Sequence, residues 1–364
     1  MFETGYHFAM KRIRELAIQC GEQFPDIVTK DYVYGKKENC YNWTEGFWTG
    51  MLWLAYEETG DEMLKMTAEN LLKKFEKRIR DRYNVDHHDL GFLYSLSCVA
   101  AYKVCGDEKA KSTAVEAADL LMKRFREKGQ FIQAWGKLDA KDNYRLIIDC
   151  LMNLPLLFWA STVTGDSKYQ AVAVKHLHTT IDCVIREDDT TYHTYFFDPE
   201  TGKKLRGETA QGYSNESCWA RGQAWGVYGL ALAYSYTKEE KLLELFEKVT
   251  DCFISRLPED YIPYWDMIFT EGNEPRDTSA AVIAVCGILE MERYRKHPAY
   301  MEICRKILET LQEHYLTGEA SNAILSDCMY SRPAGCQPEA SMWGDYFYVE
   351  ALVRMNRPEW KRYW

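Results

Sequence analysis

The sequence holds twelve cysteines but no Cys-x-x-Cys pair, so a zinc site of the usual ligand spacing is not expected. It lacks any excess of positive charge. Forty-five Lys and Arg against 55 Asp and Glu give a net charge of −10, which argues against nucleic acid or an anionic membrane as partner. It also lacks a membrane-spanning run: the most apolar stretch, 146–163, contains Asp149, Asn153 and Pro155 and reads as a buried helix. The start of the chain has no basic segment followed by an apolar core, so no secretion signal is expected. Cys98, Cys150 and Cys286 fall inside apolar segments and read as buried thiols, consistent with a reducing, cytoplasmic setting.

What is present is a soluble composition, 46% hydrophobic and 27% charged, arranged in a weak internal repeat. Apolar segments rich in Gly and Trp cover 45–58, 89–104, 147–163, 220–236, 277–295 and 342–355. Charged, amphipathic segments alternate with them at 6–21, 62–80, 108–126, 167–186, 238–256 and 298–315. Three joints share one turn, Thr59-Gly60-Asp61, Cys105-Gly106-Asp107 and Thr164-Gly165-Asp166, in which Gly ends one helix and Asp caps the next. A helix apolar all round belongs inside and one with a single apolar stripe outside. Six of each describe an all-α fold, an (α/α)6 barrel of six helical hairpins, with residues 1–364 as one domain. Two stretches escape the helical period: 192–206, read as a β-hairpin turning at 198–202, and the polar loop 325–341.

Two aspartates stand out against this frame. Asp89 in His87-His88-Asp89-Leu90-Gly91-Phe92 and Asp149 in Ile147-Ile148-Asp149-Cys150-Leu151 each open an apolar helix. A carboxylate seldom enters such surroundings unless something pairs with it or a reaction uses it. Helix capping is the ordinary role for an Asp there, and Asp61, Asp107 and Asp166 fit it. Asp149 follows two isoleucines with no turn residue, and Asp89 follows two histidines, which capping does not need. Asp277 and Asp345 read as structural, as caps or as partners of Arg276 and its neighbours. Two carboxyl groups at one barrel mouth are the usual equipment for acid/base chemistry on sugars. Trp43, Trp135, Trp219 and Trp225 fall near that mouth with Gln211 and Arg221, the latter the best candidate for a cation facing a substrate carboxylate. His87 and His88 lack a third and fourth ligand at sensible spacing, so neither metal nor other cofactor is expected.

At these segments the sequence resembles the unsaturated glucuronyl hydrolases of glycoside hydrolase family 88. The likeness is carried by W-T-E-G-F-W-T-G-M-L-W-L-A-Y-E from Trp43, H-H-D-L-G-F-L-Y-S-L-S from His87, and I-Q-A-W-G from Ile132. It continues in I-I-D-C-L-M-N-L-P-L-L from Ile147, Y-H-T-Y-F-F-D-P-E-T-G from Tyr192, W-A-R-G-Q-A-W-G from Trp219 and W-G-D-Y-F-Y-V-E-A-L from Trp343. The resemblance implies an (α/α)6 barrel that removes a 4,5-unsaturated uronate from the non-reducing end of a lyase-generated oligosaccharide. It does so by adding water across the C4=C5 vinyl ether. It implies Asp149 as acid/base and Asp89 as the second carboxylate. It implies substrate contacts at Trp43, Phe47, His88, Trp135, His193, Gln211, Trp219, Arg221 and Trp225. Asp149, in the more apolar surroundings, is expected to have the raised pKa. One departure is visible: some members that prefer sulfated disaccharides carry Ser-x-x-Ser-x-Lys in the C-terminal loop, where this sequence has Y-S-R-P-A-G-C-Q-P from Tyr330. The competing readings are an unsaturated rhamnogalacturonyl hydrolase, a sugar 2-epimerase on the same barrel, and a non-catalytic sugar-binding barrel.

Overall fold

One turn recurs between the hairpins. Gly60, Gly106 and Gly165 end their helices in left-handed backbone, with φ of 69°, 73° and 72°. Asp61, Asp107 and Asp166 then accept the N–H of Met63, of Lys109 and Ala110, and of Lys168, so all three are caps, as expected. The computed structural model describes residues 2–138 and 140–364, and Met1 and Asp139 lie outside the described residues.

The hairpins build an (α/α)6 barrel. The outer helices are Glu3–Cys20, Glu62–Arg80, Glu108–Lys123, Ser167–Val184, Glu240–Ser255 and Pro298–His314. Glu62–Arg80 shows why they lie outside: Leu64, Ala68, Leu71, Phe75 and Ile79 make one buried stripe, while Lys65, Lys73 and Lys77 stay in reach of water. The inner set begins with Glu45–Thr59, and its second member is continuous over 90–105, with a wider π-type turn at Ser95–Val99. The third covers 150–164, and the rest are Ala220–Thr237, Thr278–Met291 and Met342–Asn356. Every residue of Thr278–Met291 is buried. The inner helices form a closed ring, each packing against the next and the sixth against the first.

The third inner helix departs from the expected 147–163. Arg145–Ile147 is a strand, and the helix begins at Cys150. Pro155, which has no N–H to give, divides it into Cys150–Asn153 and Pro155–Thr164. The strand Arg145–Ile147 also extends the expected hairpin. It pairs antiparallel with Thr194–Phe197, which pairs with Lys204–Glu208 across the turn at Asp198–Gly202, giving three strands where the sequence indicated two.

The inner helices run parallel, so their starts share one end of the barrel. Trp43, before the first, stacks on Trp343 of the sixth at 5.2 Å. Arg221 of the fourth pairs with Asp277 before the fifth. Their other ends are closed by the segment 357–364: Lys103 Nζ donates to the Arg362 and Tyr363 carbonyls, and the Trp360 indole donates to Glu57. A cavity of about 670 Å³ at that end is lined by Glu57, Lys103, Tyr236, Arg293 and the closing segment, and holds none of the expected site residues.

Inside that end lies a charged network with no counterpart in the sequence reading. Arg354 donates to Glu350 (2.9 Å), Glu290 (2.8 Å) and the Tyr228 hydroxyl (2.7 Å), while Trp364 donates to Glu350 (2.8 Å). Removing the cation leaves the buried Glu350 without a charge partner, while Glu290 keeps Arg362 at 2.9 Å. Arg354→Met should therefore lower unfolding stability by roughly 3–5 kcal/mol. Urea denaturation would read this, and a loss under about 1 kcal/mol would contradict the network's assigned role.

Candidate active site

The loops at the starts of the inner helices are tied together by backbone hydrogen bonds. The N–H of His88 donates to Ala134 O, that of Ala134 to Arg145 O, and that of Ile148 to His193 O, each at 2.9–3.0 Å. These ties bring His88, Asp89, Trp135, Asp149 and His193 to one place from four segments of the chain. Asp89 and Asp149 occupy the cap positions of helices Leu90–Tyr94 and Cys150–Asn153, yet neither side chain accepts a capping hydrogen bond. In this they differ from Asp61, Asp107 and Asp166.

The two carboxyl groups converge on one imidazole. His88 Nε2 lies 3.3 Å from Asp89 Oδ1 and 3.4 Å from Asp149 Oδ1. Burial holds the His88 pKa well below its ordinary value, so the ring is neutral. His88 Nε2 and Asp149 Oδ1 are both buried without an aligned protein partner. Buried polar atoms are nearly always satisfied, so exceptions that point at one spot mark a place where something else binds. On the far side, His87 stacks on Trp135 at 4.5 Å and its Nδ1 lies 3.7 Å from Asp89 Oδ2.

Both aspartates titrate high. Burial, the larger cause, raises Asp149 to about 7. Burial and then the neighbouring Asp149 charge raise Asp89 well above the carboxylate range. The expected direction for Asp149 is thus found, but the deeper group is Asp89. Asp89 is 4% exposed at its side chain against 21% for Asp149, because His87, His88 and Asn153 surround it while one edge of Asp149 stays open. Its own backbone N–H, and then the charges of Arg221 and Arg145, pull the Asp149 pKa back down. The His88 and two carboxylate atoms lie within 4.8 Å of one another, close enough to surround a cation, a grouping the sequence search for histidine pairs did not anticipate. Burial raises the pKa of both carboxyl groups, which suits them to proton transfer near neutral pH.

The walls are aromatic. Trp43, half-buried, faces Trp343, against which Tyr330 packs at 5.1 Å. Opposite, His193 lies 4.3 Å from Trp219, and its Nδ1 accepts the N–H of Ala210 at 3.0 Å, which leaves its proton on Nε2. Two expected contacts lie lower. Phe47 and Trp225 are 0% and 2% exposed and meet through Phe92, so they form the layer beneath the floor and no stacking platform.

Arg221 also differs from expectation. Its guanidinium is 2% exposed and is engaged by Asp277 (2.5 Å), Gln211 Oε1 (3.0 Å) and the carbonyls of Met329 (3.1 Å) and Tyr330 (2.6 Å). Its face lies 4.7 Å from Trp219 and 5.1 Å from Trp343. Arg221 therefore fastens the 325–341 loop and Gln211 to the barrel, and its charge is already paired. Asp277 serves Arg221, while Arg276 pairs with Asp260; the expected Arg276 partnership is not formed. Asp345 accepts the N–H groups of Ile324 and Leu325 and the Tyr34 hydroxyl, a structural role as expected. Sequence reasoning missed Tyr330, Arg145 and Asn153 as neighbours of the pair. Asn153 alone had a signal, an amide inside an otherwise apolar run.

The model of Glycosyl Hydrolase Family 88 matches residues 16–358. The sequence is 47% identical to an unsaturated chondroitin disaccharide hydrolase of Streptococcus agalactiae serotype III (strain NEM316), over 97% of this chain and 92% of that protein. The fold matches the crystal structure of unsaturated glucuronyl hydrolase from Streptococcus agalactiae with TM-score 0.97 and 46% identity, covering 100% of this chain and 93% of that one. An Asp-to-Asn mutant of the same enzyme, complexed with dGlcA-GalNAc6S, matches with TM-score 0.89 and 42% identity, covering 100% and 93%.

Proposed function

The chain belongs to Glycosyl Hydrolase Family 88 and is a glycoside hydrolase, and from that premise we propose its substrate and the roles of its site residues. It releases the 4,5-unsaturated uronate from the non-reducing end of a lyase-generated oligosaccharide, a glycosaminoglycan-type disaccharide above all. It acts by hydrating the C4=C5 vinyl ether. Family membership favours this over a sugar 2-epimerase or a non-catalytic barrel, and relatives acting on unsaturated chondroitin disaccharides favour it over a rhamnogalacturonyl hydrolase. The carrying observation is the convergence of Asp89, Asp149 and the unpartnered His88 Nε2 at the barrel mouth.

In the proposed reaction Asp149 enters as the neutral acid. Its proton adds to C4, the C4=C5 electron pair forms the new C4–H bond, and the ring oxygen shares the positive charge left at C5. Water then attacks C5 while the Asp149 carboxylate takes up its proton. The resulting hemiketal opens, and the next sugar leaves. Asp89 is the second carboxyl group, coupled to Asp149 by its charge and approaching the same His88 Nε2. Trp43 and Trp135 offer ring faces, His193 and Gln211 polar contacts, and Trp219, buried between His193 and Arg221, backs that wall. Phe47 and Trp225 act by supporting that floor. Arg221 holds the loop wall, so substrate charge meets it as one half of an ion pair.

The absence of Ser-x-x-Ser-x-Lys around Tyr330 favours a non-sulfated disaccharide as the better substrate. A cytoplasmic setting is supported by twelve cysteines without disulfides, and no helix among the described residues is long and apolar enough to cross a membrane.

The test follows the ultraviolet absorbance of the conjugated uronate in an unsaturated chondroitin disaccharide, which this protein should abolish as it frees the second sugar. An unchanged signal with every unsaturated uronate tested would sink the reading. The pH dependence has a defined sign. With Asp149 near 7, kcat should fall as pH rises through that value, because the acid is lost. Between the unfolded carboxyl value of about 3.9 and 7 the folded protein holds the extra proton, so its stability should fall as pH rises across that window. Denaturation of Asp149→Asn should show a smaller fall from pH 5 to pH 8, and an unchanged fall would contradict the raised value.

A further inference from the structure

We infer that Asn153 is a positioning residue: it caps the helix that begins after Asp89, and so frees the Asp89 carboxylate to face Asp149. The inference rests on the two-aspartate reading above. An Asp at a helix cap position ordinarily turns its side chain onto the N–H of the second or third helical residue. Asp107 does this, accepting from both Lys109 and Ala110. For Asp89 the matching donors are Gly91 and Phe92. The Phe92 N–H is instead given to Asn153 Oδ1 at 2.8 Å, across from the neighbouring inner helix. The Gly91 N–H turns to the His88 carbonyl at 3.4 Å, so neither donor holds the Asp89 carboxylate on its own helix.

The other half of the amide holds both partners. Asn153 Nδ2 donates to the Asp149 carbonyl at 3.2 Å and toward Asp89 Oδ1 at 3.5 Å. One 2% exposed side chain therefore touches the helix start of Asp89, its carboxylate, and the backbone of Asp149. The approach requires Gly91. A Cβ there would lie 2.3 Å from Asn153 Cα and 2.5 Å from its side-chain oxygen, so any larger residue would push the two helix starts apart. Asn153 also stands immediately before the Leu154–Pro155 break, where its helix changes segment. No shorter or apolar side chain could make all three contacts.

The experiment compares Asn153→Leu, which keeps the branched shape but makes no hydrogen bond, with Asn153→Ala and Asp149→Asn on an unsaturated chondroitin disaccharide. In both Asn153 variants kcat should fall about 100-fold while KM moves less than about threefold, the signature of lost orientation with binding retained. A role confined to stability would lower the melting temperature and leave kcat of the folded protein alone. Retention of kcat within about threefold, or a change in KM alone, overturns the inference. A second measurement does not depend on those variants folding. In Asp89→Ala the Phe92 amide should stay protected from hydrogen exchange, since its acceptor is Asn153; loss of that protection would show Asp89 itself to be the cap and overturn the inference. If Asp149→Asn stays active, the two-aspartate reading fails. If Asp149→Asn is inactive and the Asn153 variants are not impaired, only the present inference fails.

Discussion

Replacing Asp149 by Asn should lower kcat on an unsaturated chondroitin disaccharide by about 10³–10⁴-fold, near the top of what a positioned acid/base contributes. The amide keeps the shape and the hydrogen-bonding edge but has no proton to give to C4. Substrate binding should survive, because the aromatic walls and the Arg221-anchored loop do not depend on the carboxyl group. Steady-state kinetics with a binding measurement separate the two effects. The expected pattern is a collapsed kcat with Kd within a few-fold of the native protein. A large loss of affinity with kcat preserved would move Asp149 from chemistry to binding.

Asp89→Asn should cost about 10²–10³-fold in kcat, on the same scale for a proton-handling group. It should also alter the pH profile. Asp89 and Asp149 titrate as a pair, with Asp149 raised to about 7 and Asp89 raised well above the ordinary carboxylate range by burial and by the Asp149 charge. Removing one carboxyl group leaves a single site in place of two coupled steps, so the alkaline side of the profile should simplify to one ionisation. A profile identical to the native one would mean that Asp89 is not coupled to Asp149.

The barrel was legible in the sequence for physical reasons. Continuous apolar segments such as 277–295 can only be interior, and striped ones such as 62–80 only exterior, so alternation alone implied two concentric rings. The repeated Gly–Asp turns fixed the joints to within a residue or two. Boundaries failed where tertiary pairing overrode local pattern. Residues 145–147 are a strand because Thr194–Phe197 offers a partner, a fact outside any local window. At the site, the two aspartates could be singled out because their surroundings were wrong for a cap. Their depth could not. Asp89 sits lower than Asp149 because Asn153 and the two histidines close over it, and those contacts are made in three dimensions. The partner of Arg221 was unreadable for the same cause: Asp277 lies 56 residues away, while Arg276, its neighbour in sequence, turns to Asp260. Phe47 and Trp225 show the limit of motif matching, since a residue can belong to a site's supporting layer without an open face.

The most direct test of hydration against ordinary glycosidic cleavage is proton NMR of the reaction run in D2O with a 4,5-unsaturated disaccharide. Hydration predicts that the vinyl H-4 signal disappears at the rate of sugar release, that deuterium enters C4 with a single stereochemistry from the Asp149 carboxyl group, and that no free unsaturated uronate accumulates. Direct cleavage would instead release a monosaccharide that still carries the H-4 vinyl signal, and that result would contradict the account.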